Sequence, residues 1–302
     1  MSKYKTTKDG LVKDTETGAT GIFRTVGGRR IFIKNGEDLA TAMKNSGKFG
    51  DDTNKDYSKM NIQQLQQKLD KDVEEYFSKN NIKETEGIKT MVFGDGLKDM
   101  DEEWKKQQLS YIAELNDDYN SNIMSINYKK DDTTHGSSFI ENDYDMGMLT
   151  YQNNLKDKET YTKTMQSNIK TGHLTKVDDN NIEKATTYHE YAHSLTYSDN
   201  KNNKKMIKEL EIVYNKYKND LNTVKKEMNE ATTKALFSND EKDYKIAEEY
   251  SKKYNDIFIS NYAYGNIDEF SAECFTNAKL NSKPNKYAME TLQIIDKYKK
   301  KK

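Results

Sequence analysis

The sequence predicts a helix-rich α+β fold in which a small N-terminal β-hairpin/helix module precedes one larger domain. Three observations lead there. Long polar stretches carry an apolar residue at every third or fourth position, as amphipathic helices do. Residues 122–129 and 146–152 alternate in the manner of strands. Residues 45–58, rich in Gly, Asp, Asn, Ser and Lys, read as a linker that sets residues 1–50 apart from residues 56–302. The chain has 302 residues, with apolar and charged fractions both at 33% and a formal net charge of -1. That balance is unlike the high net charge of disordered chains. The 21 tyrosines and 10 phenylalanines supply aromatic area for a lean core.

Within residues 19–34, two short β-favouring runs flank Gly27-Gly28, a pair that permits the positive φ angles of a tight hairpin turn. Residues 37–44 follow as a brief helix with Leu39, Ala40 and Met43 on one face. In the larger domain, Ile62, Leu65, Leu69, Val73 and Phe77 share one helical face, and a second helix covers about 100–115. The two strands alternate at Ile123, Ser125 and Asn127 and at Met146, Met148 and Thr150. A helix at about 180–196 comes next. Residues 203–256 form a helical hairpin, with Met206, Leu210, Val213 and Tyr217 at helical spacing. A helix at 267–280, the single proline Pro284 and a last helix at about 287–298 complete the domain, and residues 299–302 read as a solvated lysine tail.

The near-neutral charge gives no general pull toward nucleic acid or acidic membranes. All three arginines, Arg24, Arg29 and Arg30, fall in the N-terminal module, a small electrostatic footprint for nucleic-acid binding. No apolar run is long enough to span a bilayer, and the first residues lack the apolar core of a signal peptide. Cys274 is the only cysteine, so no intramolecular disulfide forms. The expectation is a cytoplasmic protein, or one packaged in a particle assembled in the cytoplasm.

The chemistry concentrates at His189-Glu190-x-x-His193. On a helix, positions i and i+4 lie one above the other, so both imidazoles can reach one cation. Glu190 is offset beside the open coordination position, placed to take a proton from a metal-activated water and pass it to a leaving amine. Asn180 and Glu183 are spaced as a capping box at the start of this helix. His135 and His173 lack such a partner and are expected on the surface or in loops. A catalytic Zn2+ needs a third protein ligand besides water. One option is Asp199, six residues after His193, although Thr196 stands where a glycine would ease the turn. The other is a glutamate of the later helix. Glu269 and Glu273 lie one turn apart among Phe270, Ala272, Cys274 and Phe275, where carboxylates are costly to bury unless paired or bound to a cation.

His189-Glu190-x-x-His193, then Tyr262, then Glu269-Phe-Ser-Ala-Glu273-Cys-Phe275, resembles the anthrax lethal-factor-like branch of the gluzincin metallopeptidases. The resemblance covers about residues 140–280. It implies a zincin-like metallopeptidase domain acting on a protein or peptide substrate. Under it, Glu269 is the third zinc ligand, Glu273 is an acid orienting a histidine, and Tyr262 donates to the developing oxyanion, with Tyr264 as a rival for that role. Two departures are Ser271, where the family usually has an aromatic, and the longer polar insertion at about 203–256. Such domains also occur in phage and mobile-element proteins, and the segments at residues 27–36 and 42–49 are similar to short modules in phage chains. That implies packaging in a phage particle and phage structural proteins as partners. A rival from another class is a non-enzymatic phage structural or adaptor protein whose metal site is vestigial or structural. Glu190 discriminates, because a purely structural site has no use for a general base. A strand near residues 146–152 is expected to be the edge that aligns an extended substrate by main-chain pairing. If the linker separates two folding units, a chain beginning at Asp56 folds and keeps its metal. Precipitation or loss of metal from that shortened chain would place the N-terminal module in the same core.

Overall fold

The computed structural model describes residues 4–6, 12–14, 17–26, 29–35, 56–80, 90–130, 137–141, 147–152, 155–197, 203–238 and 240–301. The chain divides into two compact units, Met1–Asp56 and Tyr57–Lys302. The expected helix at 37–44, most of the linker at 45–58, His135 and Asp199 lie outside the described residues.

The first unit is a four-stranded antiparallel meander of β1 (Tyr4–Thr6), β2 (Val12–Asp14), β3 (Thr20–Val26) and β4 (Arg29–Lys34), paired in that order. The expected hairpin is β3–β4, with Val26 opposite Arg29. Strands β1 and β2 were not expected. Each is three residues long and too polar to show an alternating pattern.

The second unit begins with Tyr57, whose buried ring sends its hydroxyl to Asp117 (2.6 Å), so residues 57 and 58 belong to this fold rather than to a linker. Helix α1 (Ile62–Asn80) buries Leu65, Leu69 and Val73 and packs on α2 (Glu102–Asp118), whose first turn is capped by Asp101. A mixed sheet follows, in the order β5 (Val92–Phe93), β6 (Ile123–Tyr128), β8 (Gly147–Tyr151), β7 (Ser138–Glu141). Strands β5, β6 and β8 run parallel, and β7 returns antiparallel beside β8, with Phe139 opposite Leu149.

Two expectations are corrected here. Strand β8 is interior, flanked by β6 and β7, so the edges among the described residues are β5 and β7, of which β7 is the one beside β8. Strand order depends on pairing between distant segments, which alternation along one segment does not encode. In β6 the buried set is Met124, Ile126 and Tyr128 together with Ile123, while Ser125 and Asn127 are only half-buried.

Helix α3 (Lys158–Lys170), capped by Asp157, was not expected, because Tyr161 and Met165 are its only fully buried residues. Helix α4 (Ala185–Thr196) carries the two motif histidines and lies against β7, β8 and α2. It starts later than expected. Residues Asp179–Lys184 form a 3₁₀ turn, and Glu183, instead of closing a capping box, accepts from Gln107 Nε2 (2.6 Å) and pairs with Lys158 (2.6 Å). Helices α7 (Ile267–Leu280) and α8 (Lys286–Lys299) complete the unit, with α7 packed on α4. The expected lysine tail is held instead. Lys300 bridges to Tyr119, and the Lys301 amide donates to the Asp118 carbonyl (2.8 Å). Among the described residues, no helix is long and apolar enough to cross a membrane.

Helices α5 (Lys204–Ser238) and α6 (Glu241–Ile257) form the expected hairpin. At 35 residues, α5 is about 50 Å long. Its proximal half buries Met206, Ile207, Leu210, Val213, Tyr217 and Leu221. Beyond Leu221 only Ala235 is buried, and α6 buries only Asp243, which pairs with Lys234 (2.8 Å). The distal half therefore rests on hairpin contacts and surface ion pairs, which water and salt screen strongly. Its tip exposes Leu236 (68%) and Phe237 (87%). Replacing residues 228–251 with a short glycine–serine loop is expected to leave the melting temperature of the second unit within a few degrees. A loss of more than about 10 °C by calorimetry would show that the arm stabilises the body.

Candidate metal centre

Helix α4 is buried on nearly every face, and polar hooks fix its rotation. Thr187 is bonded to Gln108 of α2 and to the Tyr151 hydroxyl of β8 (2.9 Å), and the Tyr191 hydroxyl donates to Asn116 (2.8 Å). The Thr186 amide donates to the Tyr161 hydroxyl of α3 (3.0 Å). With those contacts made, His189 and His193 face a cavity of about 420 Å³, their rings 4.8 Å apart. Helix α7 meets them from across the cavity. Its N-cap Asn266 accepts from the Glu269 amide (2.9 Å), which seats Glu269 in the first turn, where the helix dipole favours a carboxylate.

Three ligand atoms converge. His189 Nε2 lies 3.1 Å from Glu269 Oε2 and 3.2 Å from His193 Nε2, and the third edge, His193 Nε2 to Glu269 Oε2, is 3.6 Å. Ligands bound at about 2.0–2.1 Å to a tetrahedral ion stand roughly 3.3–3.4 Å apart, which these edges straddle. His189, His193 and Glu269 could thus hold a metal ion.

One turn after Glu269, Glu273 approaches the other side of the His189 ring, with Oε1 2.9 Å from Nδ1. The contact has ion-pair length but lies off the N–H axis, so the ring nitrogen makes no well-aligned hydrogen bond. The other oxygen accepts from the Thr175 amide (2.5 Å). A further turn along, Asn277 donates to Thr175 Oγ1 (3.1 Å) and to the Lys176 carbonyl (2.9 Å). Glu269, Glu273 and Asn277 thereby form a polar stripe at helical spacing on a helix otherwise packed with Phe270, Ala272, Cys274 and Phe275.

Charge dominates the pocket. Glu190 is 6% exposed and Glu273 1%. Burial pushes the Glu190 carboxyl up, with the neighbouring imidazoles pulling against it and Glu269 and Glu273 adding to it. Burial alone would also raise Glu269, but hydrogen bonds from His189 and His193 hold it at about 2. For His189, burial acts to lower the pKa and is outweighed by Glu269 and Glu273, so the ring is driven well above its usual range. Three carboxylates around two imidazoles, away from water, form an environment that a cation stabilises.

Comparison with known proteins finds no matching family model, no matching curated protein and no matching solved structure. The site therefore rests on its own geometry.

Tyr262 and Tyr264 separate cleanly. The Tyr262 ring lines the cavity 5.9 Å from the His189 ring, and burial together with the nearby carboxylates raises its pKa, so it stays a hydroxyl donor at neutral pH. Tyr264 turns away, its hydroxyl donating to Asn222 of α5 (3.2 Å) under the Lys218 ammonium. His173 is an exposed loop residue as expected, but it lines the same cavity, which its isolation in the sequence did not signal. Ser138 and Phe139 of β7 line it as well. In zinc titrations, His193→Ala and Glu269→Gln are expected to abolish tight binding, Glu273→Gln to weaken it about 10- to 100-fold, and Glu190→Gln to keep about one ion per chain. Undiminished affinity in His193→Ala would place the ion elsewhere.

Proposed function

We propose that this chain is a zinc-dependent endopeptidase of the gluzincin type, with His189, His193 and Glu269 as metal ligands and Glu190 as general base. The observation that carries the proposal is the convergence of those three ligand atoms beside a buried glutamate in an open cavity. Two imidazoles and one carboxylate suit zinc, and a catalytic site keeps a fourth position free. A purely structural site would be closed by a fourth protein ligand, and no fourth ligand group joins these three among the described residues.

When bound, zinc supplies Lewis acidity and makes an attacking water easier to deprotonate. The protein's own groups do the rest. The Glu190 carboxylate takes the proton of that water and delivers it to the amine leaving the scissile bond. Its buried setting supports this role, since a raised carboxyl pKa makes a stronger base than an exposed glutamate. The Tyr262 phenol donates to the carbonyl oxygen as negative charge grows there, a hydrogen bond stronger in the transition state than in the ground state. Glu273 holds the His189 ring in place from behind. An extended substrate aligns along β7, the strand that lines the cavity and that among the described residues pairs only with β8.

Incubating the zinc-loaded protein with a random peptide library tests the proposal. Wild type is expected to cleave internal peptide bonds, and Glu190→Gln to lose at least about a thousandfold in turnover while keeping its zinc. Tyr262→Phe lowers turnover on the order of a hundredfold with little change in substrate binding, and Tyr264→Phe stays close to wild type. No cleavage by zinc-loaded wild type, or equal cleavage by Glu190→Gln, would overturn the assignment.

A further inference from the structure

Tyr262 is 41% exposed, yet its role as an oxyanion donor requires one fixed orientation. The residues that could fix it lie on the loop after α3. Helix α3 ends at Lys170, and Gly172, at φ +71°, reverses the chain in the left-handed conformation that favours glycine. The Gly172 amide donates back to the Ile169 carbonyl (3.1 Å) and the His173 amide to that of Asn168 (2.9 Å). A side chain at position 172 would also press on the Phe258 ring, 3.1 Å from where its Cβ would stand.

Both sides of this loop are clamped. The Gly172 carbonyl accepts from the Asn261 amide (2.8 Å) and the His173 carbonyl from the Tyr262 amide (3.3 Å), so two successive residues pair with two successive residues of the tyrosine turn. On the other side, Glu273 and Asn277 of α7 hold Thr175 and Lys176. The imidazole of His173 is left standing in the cavity against the Tyr262 ring, with centroids 5.4 Å apart and planes tilted by 50°. That phenol ring also neighbours His189, at 5.9 Å. Tyr262 therefore contacts two imidazoles, one belonging to the candidate metal centre and one standing apart from it.

We infer that His173 is a positioning residue whose ring holds the Tyr262 phenol over the metal centre. The inference rests on the proposed peptidase chemistry for its functional consequence, but not for the contact itself. Without the imidazole, the phenol has open cavity on that side and samples orientations in which its hydroxyl no longer faces the reacting carbonyl. A tilted aromatic contact of this kind biases such a two-position equilibrium by roughly 2- to 10-fold.

The test uses the full-length zinc-loaded protein with His173→Ala and His173→Phe, the latter keeping a ring but no nitrogen. In protein labelled with ring-13C tyrosine, the Tyr262 signal is assigned from its loss in Tyr262→Phe. His173→Ala is expected to shift that signal and to lower kcat about 2- to 10-fold, with KM and zinc content unchanged, and His173→Phe to restore both. In a Tyr262→Phe background, His173→Ala should have no further effect on kcat. An unmoved Tyr262 signal in His173→Ala, or failure of His173→Phe to restore it, overturns the inference. An inert wild-type protein would overturn the peptidase assignment instead, while the tyrosine signal would still decide whether His173 holds Tyr262.

Discussion

Glu273 is buried where α4, α7 and the loop after α3 meet, and the candidate site depends on the two contacts it makes there. One carboxylate oxygen faces His189 Nδ1 and the other accepts from the Thr175 backbone amide. The first places a negative charge at Nδ1, on the side of the ring away from the Nε2 that faces His193 and Glu269. The second fixes the loop that carries His173 against Tyr262. A neutral side chain of the same shape would keep the packing but lose the charge that holds an imidazole and an amide together. Buried carboxylates are expensive unless each oxygen is satisfied, and here each has a partner.

The same logic extends to the whole cavity. Glu190, Glu269 and Glu273 crowd two histidines in a volume shielded by α4, α7 and β7. Burial shifts Glu190 upward, whereas hydrogen bonds from the two imidazoles hold Glu269 down at about 2, so the two carboxyls respond oppositely to the same pocket. A divalent ion held by His189, His193 and Glu269 would offset this charge. The backbone around the centre is anchored on both helices. Helix α4 is locked by Thr187, Thr186 and Tyr191, and the first turn of α7 by Asn266. On α4 the ionisable groups His189, Glu190 and His193 line the cavity together with Thr186, while Thr187 and Tyr191 anchor the helix to its neighbours.

Much of this was legible in the sequence because it is local. Spacing of i and i+4 placed His189 with His193 and Glu269 with Glu273, and carboxylates beside Phe270 and Phe275 marked a buried acidic stripe. The helices followed from apolar periodicity wherever enough apolar residues were present. Helix α3 was missed because little more than Tyr161 and Met165 marks its buried face, and β1 and β2 because three polar residues carry no pattern. What depends on long-range pairing was not legible. The edge strand on that side of the sheet lies at Ser138–Glu141 rather than near 146–152, since strand order is set by partners far away in the chain. Tyr262 and Tyr264 are alike in sequence, and they separate only in the fold, where Tyr262 lines the cavity and Tyr264 turns to Asn222 on the inserted hairpin. His173, alone in its segment, acquires its place only when α3, α7 and the tyrosine turn are brought together.

The proposed site has two imidazoles and one carboxylate holding zinc while leaving room for water. X-ray absorption at the zinc edge of the loaded protein addresses it without relying on any substrate. A four- or five-coordinate ion is expected, with nitrogen and oxygen neighbours at about 2.0–2.1 Å and the outer-shell scattering of two imidazoles. A shell containing sulfur from Cys274, or one with fewer than two imidazoles, would contradict it.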